Sequence, residues 1–69
     1  MKVLDVVALT KDQAGADLRR GQVGTIVEEL AEGVYEVEFA DLEGRTYAML
    51  PLSAKHLMVL HHNPTKNAA

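Results

Sequence analysis

The chain has 69 residues, 48% of them apolar and 4% aromatic, with a net charge of −3 and no cysteine. That length allows one domain, which buries only about 60% of the surface its unfolded chain exposes. The absence of cysteine rules out a disulfide staple and a thiolate metal site, so the core must come from Val, Leu, Ile, Ala and Met.

In chain order, Leu4 to Leu9 is short, apolar and β-branched, and predicts a first strand, because no helical period continues it. Thr10 to Arg20 is polar and contains Gly15. It predicts a long loop, with a single helical turn over Asp12 to Leu18 as the alternative. Gly21 and Gly24 flank Gln22-Val23 ahead of Thr25-Ile26-Val27. Glycines inside a strand pattern mark a bulge, a bend or a close backbone approach. No Lys-Ser/Thr pair or helix follows them, which argues against a phosphate-cradling loop.

Leu30-Ala31-Glu32-Gly33 predicts a turn with Gly33 at positive φ. Val34 to Phe39 then alternates strictly: Tyr35, Val37 and Phe39 on one face, Glu36 and Glu38 on the other. After a turn at Asp41-Leu42-Glu43-Gly44, Thr46 to Leu52 predicts a strand that is apolar on both faces. Tyr47 and Met49 form one face and Ala48 and Leu50 the other, with Pro51 at an edge or end. Ser53-Ala54-Lys55-His56 predicts one 3₁₀ turn capped by Ser53, and Leu57 to Leu60 a last strand. Residues 61–69 predict a flexible tail behind a single domain at 1–60.

These elements predict an all-β fold: a small, five-stranded, strongly bent antiparallel barrel with a single 3₁₀ turn before the last strand. Four segments sharpen this: Met1 to Leu9, Leu18 to Glu28, Tyr35 to Phe39 and Gly44 to Ala48. Together they resemble a family of short bacterial proteins, frequent in cyanobacteria and without an established activity. The resemblance covers roughly residues 1 to 60 and implies an SH3-like barrel. Gly21, Gly24, Ile26, Tyr35, Val37 and Phe39 also look like the pattern of KOW modules of ribosomal and transcription proteins, and of small barrel subunits that help dock ferredoxin. KOW modules bring a basic surface to RNA. Here Glu28 to Glu43 holds seven acids and no Lys or Arg, which repels a phosphate backbone.

No residue set for catalysis emerges. Ser53 is the one serine, and its spacing of three to His56 is that of a capped turn rather than a triad. Glu36 and Glu38 alternate on an outer strand face, without the pocket that acid–base chemistry needs. His61-His62 with His56 forms no preformed metal site, because adjacent residues on an extended chain point in opposite directions. The expectation is therefore a non-enzymatic module with no cofactor and no metal.

No apolar run approaches the ~20 residues of a membrane span. The apolar stretch after Lys2 breaks at Asp5, unlike a signal peptide. A cytoplasmic protein with no membrane association is expected. The candidate binding residues are Arg19, Arg20, Arg45, Tyr47, Met49, Glu36 and Glu38. The leading expectation is a protein partner or a second copy of the chain, as for an inhibitor or antitoxin-like protein. An apolar strip on residues 46–52 would lie beside an acidic surface. The alternative is a KOW-like RNA- or ribosome-associated module using Arg19, Arg20 and Arg45, with Tyr47 as a stacking platform.

Overall fold

The computed structural model describes residues 1–64. Five strands form one antiparallel sheet: β1 (Val6–Leu9), β2 (Val23–Ala31), β3 (Val34–Ala40), β4 (Thr46–Ser53) and β5 (Leu57–Val59). The spatial order is β4-β3-β2-β1-β5, so the chain meanders through four strands and β5 returns to pair with β1.

The strict alternation of β3 explains the core. Tyr35, Val37 and Phe39 are buried, and they meet Ile26 of β2, Val7 and Leu9 of β1, Leu52 of β4, Leu57 of β5 and Leu18 of the first loop. Val7, Ile26, Val37 and Phe39 are wholly inaccessible to solvent. The Tyr35 hydroxyl donates to the Met1 carbonyl at 3.3 Å, which satisfies its polar end.

β2 carries two bulges. Ile26 faces Val37, but Glu28 faces Glu36 and Ala31 faces Val34, so Val27 and Leu30 are extra residues on the bulged strand. A third bulge opens β4, where Thr46 rather than Tyr47 pairs with Ala40.

The structure departs from the expected elements in several places. β2 runs on through Leu30 and Ala31, which narrows the expected turn to Glu32-Gly33. The first strand begins at Val6, because Asp5 N–H donates to the Lys2 carbonyl and closes a turn with Leu4 at φ 77°. The first loop contains a 3₁₀ turn at Ala14–Ala16, closed by paired hydrogen bonds between Gln13 and Leu18, so there are two such turns rather than one. The second, Ala54–His56, is not capped by the Ser53 side chain. Ala54 N–H instead donates to the Gly33 carbonyl at 2.8 Å. Finally, the sheet is open. β4 and β5 are its two edges and do not pair with each other, so strand pairing does not close a barrel. β5 is three residues long and already bonded along one side to β1. Of the expected tail, residues 61–64 are exposed and 65–69 lie outside the described residues.

Candidate functional site

Of the candidate residues, Tyr47 and Met49 lie on β4, Glu36 and Glu38 within β3, Arg45 in the turn between these strands, and Arg19 and Arg20 in the connection before β2. Register places Met49 opposite Glu38, Ala48 opposite Phe39 and Leu50 opposite Val37. Ala48 and Leu50 therefore pack against the core, and Met49 stands 50% exposed on the other face. Glu36 and Glu38 share that outer face, half-buried, with Pro51 opposite Glu36.

Tyr47 does not share the face of Met49. The bulge re-aims it towards the core side, where its ring lies 6.4 Å from that of Phe39 at 41°. It remains 51% exposed, and its hydroxyl accepts a hydrogen bond from Gln22 Nε2 at 3.1 Å. Gln22 Oε1 in turn accepts the Arg19 N–H at 2.6 Å, and Asp12 Oδ1 accepts the Arg20 N–H at 2.8 Å. Tyr47 and the Arg19-Arg20 approach are thus tied together at one rim through Gln22. Neither Gln22 nor Asp12 was singled out by the sequence, since a polar loop residue gives no sign of which distant side chain it will meet.

The acidic surface is tightly set. Glu28 and Glu36 are directly opposed across β2 and β3, a pairing of like charges that disfavours the sheet. One carboxylate oxygen of Glu36 is buried and has no hydrogen-bond partner among the described residues. Glu38 accepts a hydrogen bond from the Thr46 hydroxyl.

Arg45 is committed elsewhere. Its guanidinium contacts Asp41 Oδ2 at 3.2 Å and Glu43 Oε2 at 3.1 Å. Asp41 organises the whole turn: its Oδ1 accepts the N–H groups of Glu43 and Arg45, both at 2.9 Å. The Arg45 N–H is the main cause holding the Asp41 carboxyl below the usual carboxylate range. The Glu43 N–H and the Arg45 side chain also lower it, against some desolvation.

A carboxyl lowered by folding contributes stability that is present above its unfolded value, near 3.9, and lost as pH falls through its folded value. Acidification below about pH 4 is therefore expected to lower the protection of the Glu43 and Arg45 amides, taken as exchange relative to the intrinsic rate at each pH. Asp41→Asn should keep much of the turn, since its amide oxygen still accepts, but lose this pH response. Asp41→Ala should open the turn at all pH values. Amide exchange followed by NMR distinguishes the three.

A hollow of about 270 Å³, lined by Asp12, Ala14, Asp17, Leu18 and Arg19, lies beside the first loop, apart from β4. Among the described residues no three His, Asp or Glu side chains are grouped to hold a metal ion. No helix among them is long and apolar enough to cross a membrane.

A family model described as a domain of unknown function, DUF4926, matches residues 3–59. The chain belongs to the DUF4926 family. The matched span runs from the first turn through β5, so the core, the β4 edge and the acidic surface all lie inside the DUF4926 domain. No curated protein and no solved structure matches the chain.

Proposed function

We propose that this DUF4926 domain is a non-enzymatic protein-interaction module built on an SH3-like framework and working in the cytoplasm. The framework reading is supported by the four-strand meander, the return of β5 to β1 and the 3₁₀ turn immediately before β5. The interaction reading rests on one observation. Met49 stands half-exposed on the outer face of β4 beside Glu36 and Glu38, with the nearby Arg45 already paired, and Tyr47 stands half-exposed at the rim of the other face. Apolar side chains next to a field of one sign mark a contact site for a partner of opposite charge.

The RNA reading is less well supported. Arg45 is neutralised by Asp41 and Glu43, which leaves Arg19 and Arg20 as the free cations of the candidate set among the described residues.

Affinity capture from cells, with the wild type and a Tyr47→Ser/Met49→Ser variant as baits, tests the proposal. Both side chains are half-exposed, so the variant should keep its stability to within about 0.5–1 kcal/mol. Proteins enriched by the wild type should be lost by the variant. If nothing is enriched, and light scattering shows a monomer over a wide concentration range, the proposal fails. Salt-sensitive RNA binding that is lost on replacing Arg19 and Arg20 would favour the RNA module instead.

A further inference from the structure

β4 is an eight-residue strand bonded along one side only. Among the described residues its backbone hydrogen bonds go to β3, and no loop or side chain bonds to its other side. Natural sheets blunt such edges with lysines, prolines, bulges or short strands, because an open ladder of N–H and C=O groups templates pairing with another chain. β4 has few of these defences. It holds no charged residue; its bulge lies at its first residues, and Pro51 near its end. Between them the residues alternate, so that every second one of Ala48 to Leu50 turns its N–H and C=O away from β3. The opposite edge, β5, has only three residues.

We propose that the free edge of β4 takes up an extended strand of a partner protein, one that carries lysine or arginine at alternate positions. This rests on the interaction reading above and narrows it to one edge and one partner chemistry. The charge comes from the register. Glu38 lies opposite Met49 and Glu36 opposite Pro51, so both acids sit one strand in from the edge on the outer face. An added strand would lie ~4.8 Å beyond β4, about two strand spacings from the carboxylates. The stem of a Lys or Arg crosses that distance over Met49 and Pro51, burying its methylenes on them and bringing its head to the acids. Glu36 has one carboxylate oxygen without a hydrogen-bond partner among the described residues, and a turn of its side chain towards the arriving head would give that oxygen a donor. A second copy of the chain is a poor occupant of the edge. It would bring the same uncharged strand and the same acids, with its Arg45 already tied to Asp41 and Glu43.

The test uses the full chain and three synthetic probes, with amide exchange and chemical shifts read by NMR. The first probe is an alternating Lys-Val octapeptide. The second is its Glu-Val counterpart, and the third is the Lys-Val peptide N-methylated at every second amide. The Lys-Val peptide should slow exchange at β4 amides that point away from β3. The N-methylated peptide should lose this protection, and the Glu-Val peptide should bind at least tenfold more weakly. Glu36→Gln/Glu38→Gln should weaken Lys-Val binding about tenfold at low salt and flatten its salt dependence. Met49→Lys, which places a cation on the edge, should abolish binding while exchange in β1 to β3 stays unchanged.

Absence of Lys-Val binding, binding that leaves β4 exchange unaltered, or equal binding of the Glu-Val peptide would each overturn strand addition. So would β4 protection that grows with protein concentration alone, since that marks self-pairing. If strand addition fails while cellular capture still depends on Tyr47 and Met49, the interaction reading survives with a different mode. If both fail, both are wrong.

Discussion

Replacing Phe39 with alanine is expected to remove about 3–5 kcal/mol of the domain's stability. Phe39 is fully buried and touches the core from the middle strand of the β4-β3-β2 half of the sheet. Truncating such a ring costs about 3–5 kcal/mol, from lost transfer energy and the cavity left behind. A chain of 69 residues has a total stability of roughly 3–10 kcal/mol at about 0.05–0.15 kcal/mol per residue. One substitution therefore removes a third of the stability at the least, and all of it at the lower bound. No disulfide offsets the loss.

Phe39→Leu keeps most of the volume and should cost less than about 1.5 kcal/mol. Urea titration of the three proteins checks the order. The Leu variant should also report on the rim, because the Phe39 ring is the wall against which Tyr47 leans. A stable Phe39→Leu protein that binds the same partners less well would show the core and the candidate surface acting together.

That linkage was only partly legible in the sequence. β3 was readable residue by residue, because alternation of Tyr35, Val37 and Phe39 with Glu36 and Glu38 is a local property of one strand. Thr46 to Leu52 is readable as a strand but not as to which face is buried. With apolar residues at both parities, only register against Glu38 and Phe39 decides that Met49 faces out and Ala48 in. The bulge that turns Tyr47 towards Phe39 is likewise a property of the pair of strands, not of either sequence.

Leu4 misled for a different reason. It is apolar and lies next to Asp-Val-Val, yet hydrogen bonds between Lys2 and Asp5 close a turn that holds it exposed at positive φ. Closure of the sheet depended on how its two edges lie in space, about which strand propensity is silent. Within the site, the seven acids were plain from composition. The clamp on Arg45 was less so, although an Asp at i and an Arg at i+4 around a tight turn is a spacing that permits it.

Gly24→Ala is the second substitution with a large expected effect, and it tests a different kind of constraint. Gly24 is paired with Val7 of β1 and has ordinary, negative φ, so its requirement is space rather than backbone freedom. A β-carbon there would lie 2.8 Å from Val37 Cγ1, 2.9 Å from the Glu38 carbonyl oxygen and 3.0 Å from Phe39 Cδ2. The valine methyl alone could be relieved by rotation, but the carbonyl belongs to a paired strand and the ring is fully buried. Relief therefore requires β2 and β3 to part. Overpacking of this type costs about 1–3 kcal/mol, which lowers the melting temperature by about 4–8 °C for each kcal/mol in a domain of this size. Gly15→Ala is the control. A β-carbon there meets nothing within 4 Å, and the loss of unfolded-state freedom should leave stability unchanged or raise it by up to about 1 kcal/mol. If Gly24→Ala proves as harmless as Gly15→Ala, close approach is not what places glycine in β2. If it destabilises as expected, the shift of β3 should also displace Glu38, whose own carbonyl is one of the three contacts, and weaken whatever binds the acidic face.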